Sequence, residues 1–250
     1  MRLLSFLLLS LLYSSAIFAN CSLIARGLNY EPYYFQAKDG SYSGLDIELI
    51  DALMAEANCQ VKYQETPWKR SLQLMKIGGL ELLTGVSITP QRTRYISFIG
   101  PMREELMVML VPRSSDYAIA TLDDIKLLDK PVGIANGLFY GDNFSVKYQH
   151  DTTFKQHVDL ANSTLENLKK LQKQRLSAVI GDLYFMAHWI KSNNLTEDFK
   201  VHPYYINRNF VYFGLSRRNV LPHEMAVLKT ANERMQAAGT YQRIIDKYKL

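Results

Sequence analysis

Two rhythms of apolar and polar positions alternate along the chain. CSLIARG, from Cys21 to Gly27, is a short apolar run of strand character. GLDIELIDALMAEA follows, with Leu45, Ile47, Leu49, Ile50, Leu53 and Met54 on one helical face. CQVKYQE alternates as a second strand, WKRSLQLMKIGG is a helix closed by glycine, and LELLTG is a third strand. This βαβα order predicts a mainly parallel sheet with helices packed on its faces.

A second unit begins after the apolar strand ELMVMLVP, Glu105 to Pro112. TLDDIKLL opens with a capping pattern, Thr121 then Asp124. PVGIANG is a strand ending in a glycine-bearing turn. STLENLKKLQKQ is an amphipathic helix on Leu165, Leu168 and Leu171. LSAVIGD is a strand, and LYFMAHWIKSNN a further helix.

The two units repeat one another. SLQLMKIGGLELLTGV aligns without a gap on NLKKLQKQRLSAVIGD, 96 residues later. Leu72 matches Leu168, Met75 matches Leu171, Leu80 matches Leu176 and Gly85 matches Gly181. Shared α/β patterning accounts for part of this match, and the coincident glycines favour two lobes of one design. Ligands of open α/β sheets bind beyond the carboxyl ends of strands. Gly85 and Gly181 both end such strands, so GVSITPQR and GDLY are expected to line one cleft. Arg92 and Asp182 are then the charges expected to look across it.

Composition narrows the function. The chain begins MRLLSFLLLSLLYSSAIFA, an early arginine, an apolar core and the small residue Ala19, which is the layout of a secretory signal peptide over residues 1–19. No later stretch is apolar enough for a membrane span. Asn20 stands before Cys21 where lipid attachment wants a small residue, so the expectation is a soluble periplasmic protein. The two cysteines, Cys21 and Cys59, are expected to be joined in an oxidising compartment; two inert buried thiols are the alternative. The net charge of +5 comes from basic residues scattered among acidic ones, without the stripe that nucleic-acid binding needs. The five histidines lack metal-ligand spacing, and neither a phosphate loop nor a nucleophile elbow occurs. No cofactor or metal is expected.

Taken in order, several segments resemble the periplasmic solute-binding proteins of amino-acid ABC transport systems, family 3. NYEPYYF resembles the aromatic loop of that family's first lobe, and GLDIELIDALMAEA its helix opening, with Leu45 in place of Phe. SITPQRTRYISF resembles its Thr-x-x-Arg signature. LSAVIGD resembles the strand that ends in a ligand-binding aspartate, and AAGTYQRIIDKY the C-terminal Gly-Thr-Tyr helix. The resemblance implies a two-lobed α/β periplasmic binding protein fold (type II) with a two-strand hinge. It places lobe 1 at 20–103 plus 209–250 and lobe 2 at 104–208, with crossings near Pro101 to Glu104 and Asn207 to Val211. The first two strands would be parallel neighbours, which brings Cys21 and Cys59 into bridging range.

By the same resemblance, Arg92 holds the α-carboxylate of a ligand through its planar fork, helped by Ser87 and the backbone at Gly85. Asp182 receives the α-ammonium. Tyr30 and Trp68 flank the ligand's side chain. Read without the family, Arg92 is a surface arginine after a turn, Asp182 a helix N-cap, Ser87 a turn residue, and the two aromatics core or rim. The family's Gly-Thr-Thr-like turn is replaced here by Gly137-Leu138-Phe139-Tyr140, which exchanges hydroxyls for the aromatics Phe139 and Tyr140. The expected activity is binding, by a monomer, of an amino acid or similar solute for a membrane permease. The alternatives are an enzyme resembling cyclohexadienyl dehydratases on the same scaffold and a ligand sensor acting through a separate receptor. An enzyme would need a carboxylic acid protonated near neutral pH, and the sequence places no second acidic group for that task.

Overall fold

The first strand, β1 (Ser22–Gly27), turns Leu23 and Ala25 inward and leaves Ser22 and Ile24 outside, then becomes buried throughout at its end. The computed structural model describes residues 21–248, so the expected signal segment lies outside the described residues. A small hairpin, β2 (Phe35–Gln36) and β3 (Tyr42–Ser43), leads to α1 (Leu45–Ala57). All six apolar residues assigned to the α1 face are buried. Each such side chain contributes roughly 1.5–3 kcal/mol relative to an exposed one. β4 (Gln60–Glu65), α2 (Trp68–Ile77) and β5 (Leu82–Val86) follow. Gly78 closes α2 in the left-handed conformation, at φ 80°, with its N–H on the Leu74 carbonyl.

A 3-10 turn at Arg92–Arg94 then delivers the chain into β6 (Ile96–Pro112). The second unit opens with the predicted capping box between Thr121 and Asp124. It continues through β7 (Val132–Ala135), α3 (Asp142–His150), α4 (Thr152–Gln156), β8 (Val158–Ala161), α5 (Thr164–Gln172), β9 (Ala178–Asp182) and α6 (Leu183–Ser192). The chain returns along β10 (Phe199–Ser216) and ends in α7 (Pro222–Ala237) and α8 (Thr240–Lys247), which pack against α1.

The strand order is β4-β1-β5-β10-β6-β9-β7-β8. β4, β1 and β5 are parallel, as are β9, β7 and β8, while β6 and β10 run antiparallel through both groups. This is the expected two-lobed α/β architecture, with two long strands as the link. In this pair Val211 lies opposite Arg103 and Asn207 opposite Met107. The sequence pattern predicted a strand only from Glu105. β6 starts earlier because β10 supplies a hydrogen-bonding partner back to Ile96. Pro203 lies in β10 at an irregularity between Val201 and Tyr205, where a missing N–H is tolerated.

The internal repeat is a helix, a turn and a strand in each lobe: α2 with β5, and α5 with β9. Met75, Leu80, Leu168, Leu171 and Leu176 are buried as expected. Leu165 is not; it is exposed and borders the interlobe cavity described below. The buried face of α5 instead carries Asn167, whose amide donates to the Ile134 carbonyl at 2.8 Å. Cys21 and Cys59 are joined, with Cα atoms 4.7 Å apart. The parallel register Ser22 opposite Gln60 sets them side by side.

Candidate functional site

The carboxyl ends of β5 and β9 meet at a cavity of about 390 Å³ between the lobes. That volume suits a small solute. The first lobe lines it with Arg26, Tyr30, Tyr33, Asp46, Trp68 and Gly85, the second with Asn136, Thr164 and Asp182. β6 adds Arg103, Glu105 and Met107, three alternate residues that share one strand face. Gly85 has φ 64°, a left-handed turn at the strand end that favours glycine.

Asp182 is both cap and cavity residue. Its Oδ1 accepts the Phe185 backbone N–H at 3.0 Å, which caps α6, and the Tyr33 hydroxyl at 2.5 Å from the other lobe. Its Oδ2 is buried without a hydrogen-bond partner, 3.9 Å from Arg103 Nη1. Arg103 Nε lies 3.4 Å from Asp46 Oδ1, and its guanidinium stacks 4.0 Å above the Tyr33 ring. Burial opposes the Arg103 charge, but Tyr33, Asp46 and Asp182 outweigh it, so the group is held firmly cationic. Burial likewise pushes Asp182 upward, against Arg103 and the Tyr33 and Phe185 hydrogen bonds.

Glu105 is the group the sequence reading missed. It is buried, and its pKa is pushed up to about 8, first by burial and then by the Asp182 charge, with Arg103 and Arg92 opposing. Asp182 has hydrogen bonds for its ionised form, so Glu105 is the better holder of a proton. The missed signal was the charged run Arg103-Glu104-Glu105 entering an apolar strand. Arg26, Tyr33 and Asp46 were missed as well, because strand, loop and helix patterns give no hint that their tips converge.

Arg92 is buried. Its Nη1 donates to the Ser87 carbonyl at 2.9 Å and its Nη2 to the Gly137 carbonyl at 3.0 Å. The TPQR turn holds it there, with Thr89 Oγ1 accepting the Arg92 backbone N–H at 3.3 Å. Arg92 lines an adjoining, outer cavity of about 560 Å³, together with Thr89, Gly137 and Phe139. Asn136 and Leu138 border both cavities. The structure therefore places Arg92 and Asp182 beside two neighbouring spaces rather than across one.

Trp68 stands at the junction of the two spaces. Its Nε1 donates to the Gly137 carbonyl at 2.8 Å, and the guanidinium groups of Arg26 and Arg92 lie 5.3 and 5.6 Å from its ring. Tyr30 lines the inner cavity with one face already stacked on Phe185, ring centres 3.9 Å apart. Ser87 and Tyr140 line neither space. Ser87 is buried and offers its carbonyl to Arg92. Tyr140 is in the second lobe's core, its hydroxyl accepting the Ala135 N–H at 2.7 Å. Among the described residues, no cluster of three or more His, Cys, Asp or Glu could hold a metal ion, and no helix is long and apolar enough to cross a membrane.

Comparison with known proteins places this geometry. The family of bacterial extracellular solute-binding proteins, family 3, matches residues 24–250. A probable histidine-binding protein of Neisseria gonorrhoeae is 25% identical over 227 residues, covering 90% of this chain and 81% of its own. An arginine-binding periplasmic protein of Mannheimia haemolytica is 24% identical over 249 residues, covering 96% and 97%. Among solved structures, a histidine kinase sensor domain with similarity to periplasmic binding proteins superposes with a TM-score of 0.76 at 19% identity, covering 92% of this chain and 96% of that one.

Proposed function

Because the chain belongs to the bacterial extracellular solute-binding proteins, family 3, we propose that it binds an amino acid or related zwitterion in the periplasm and delivers it to an ABC transporter. The observation that carries this reading is the charged cavity between the lobes, lined by Asp182, whose Oδ2 is buried without a hydrogen-bond partner. An ammonium there completes a buried acceptor that otherwise costs free energy. In this reading Arg92 receives the carboxylate at the inner cavity's border, where Asn136 and Leu138 join the two spaces. Ser87 and Tyr140 act by position: the first anchors Arg92, the second shapes the turn that carries Gly137. Gly85, Tyr30, Trp68 and Phe139 form walls. The lobes are taken as 20–103 plus 209–250 and 104–208, closing on the solute about the paired segments of β6 and β10.

Calorimetry with the standard amino acids tests this. Arg92→Ala is expected to abolish binding while leaving the fold intact; unchanged affinity would sink the assignment. Glu105 favours one second reading, an enzyme on the same scaffold. A carboxyl with its pKa near 8 in a solute cavity is the acid such chemistry requires. Incubation with arogenate or prephenate separates the two. No aromatic product is expected, and steady turnover that Glu105→Gln removes would replace the binding reading.

A further inference from the structure

The charges of the inner cavity are unequally answered. Arg103 has a carboxylate on either side, Asp46 and Asp182. Arg26 has none: among the described residues, no carboxylate lies within 4.0 Å of its guanidinium. Yet Arg26 is only 6% exposed and lines the cavity. Its Nε donates to the Thr66 carbonyl at 3.0 Å, and its guanidinium lies 5.2 Å from the Tyr34 ring centre and 5.3 Å from that of Trp68. These contacts fix the plane of the fork and leave its charge without a counterion. A buried, immobilised and unpaired guanidinium is costly to a fold, and it suits a planar anion. Arg92 shares the same wall of Trp68, and its side chain bonds only backbone carbonyls.

The carboxyl groups give the complementary picture. Asp46 faces Arg103, and Asp182 Oδ1 is held by Tyr33 and Phe185. Glu105 is pushed toward its neutral form by burial and by the Asp182 charge. One acceptor, Asp182 Oδ2, is buried without a hydrogen-bond partner in a residue that lines the cavity. The two adjoining spaces thus offer places for two anionic groups, at Arg26 in the inner one and Arg92 in the outer one, and for one ammonium at Asp182.

We propose that the solute is an acidic amino acid or a similar zwitterion with two carboxylates, and that Arg26 holds the second anionic group. This rests on the binding reading above and sharpens it. It also sets the chain apart from relatives named for histidine and arginine, since a cationic side chain would meet the unpaired positive charge of Arg26 in the cavity.

The test is calorimetry and thermal shift on the whole mature chain with glutamate, aspartate, glutamine, asparagine, histidine, arginine and glutarate. Glutamate or aspartate is expected to bind about 10- to 100-fold more tightly than its amide. Arg26→Gln should erase that preference by lowering the acid's affinity at least tenfold more than the amide's; Arg26→Lys, which retains the charge, should keep part of it. An unliganded melting temperature for each variant separates lost folding from lost recognition. Equal affinity for acid and amide overturns the proposal, as does an acid preference that survives Arg26→Gln. If histidine or arginine binds best and Arg92→Ala abolishes it, the amino-acid reading stands and this inference falls. If glutarate matches glutamate and Asp182→Asn changes neither, the ammonium site falls while Arg26 keeps its role. No binding by any of the seven overturns this inference, and no binding by any standard amino acid overturns both.

Discussion

Glu105 stores a proton that the unfolded chain releases. Its folded pKa, about 8, lies above the ordinary carboxyl value of 4.5. A raised pKa means that the folded state binds the proton more tightly. The stabilisation from this group is fully present below the ordinary value and is lost as pH climbs to about 8. Scanning calorimetry of the unliganded protein between pH 5 and 9 should therefore show a falling melting temperature. Glu105→Gln should flatten that fall and be the more stable protein at the alkaline end; parallel curves would place the proton elsewhere. At this scale the sequence was only half legible. Arg92 and Asp182 could be placed beside the interlobe spaces because a signature and a strand end mark them. Arg103 and Glu105 could not, since a charged residue in a strand pattern is normally assigned to solvent. They are buried because their face of β6 lines the interlobe cavity, while Glu104 between them points to the other, partly exposed face.

Elements were more legible than side chains. The apolar stripe of α1 was readable in full, because six apolar positions at helical spacing permit one packing face. β10 was not, because Pro203, His202 and several polar residues break its alternation. Its length comes from pairing with β6, a tertiary effect that no local window contains. The assignment of Leu165 to the core failed for a related reason. The first turn of α5 overhangs the cavity, so Leu165 faces the interlobe space while Asn167 is drawn inward by the Ile134 carbonyl. The disulfide also belongs to this scale. It ties the starts of β1 and β4 across a separation of 38 residues. A loop of that length is worth about 2–4 kcal/mol, chiefly through the unfolded chain. Replacing both cysteines with serine should lower denaturant-unfolding stability by about that amount and leave solute affinity intact. A loss of affinity at unchanged stability would contradict a purely structural role.

For the whole molecule, the decisive contacts are the few that cross between lobes. Trp68 and Arg92 both donate to the Gly137 carbonyl, and Tyr33 reaches Asp182. Each hydrogen bond exists only when the lobes are together, so each biases closure in proportion to its strength. Trp68→Phe and Tyr33→Phe should each weaken solute binding about 3- to 10-fold, at about 0.5–1.5 kcal/mol per bond. Small-angle scattering should show a larger radius of gyration for both variants at subsaturating solute. Weaker binding with unchanged dimensions would mean that these side chains touch solute without helping the lobes close. The two-lobed plan was visible from the repeat. Its closure contacts were not, because they join residues 69 and 149 positions apart.

The Gly137 carbonyl has a further consequence, for how such a protein diversifies. The oxygen that receives both Trp68 and Arg92 belongs to the main chain, at a residue with φ 84°. The neighbouring Leu138 and Phe139 side chains face the cavities and take no part in those two bonds. Selection can exchange them for hydroxyls, charges or smaller groups and retune solute preference without unfastening the lobes. What a lineage must keep is the glycine; what it can trade is the pair beside it. A sensor engineered from this scaffold would change its target at Leu138 and Phe139 and leave its moving parts alone.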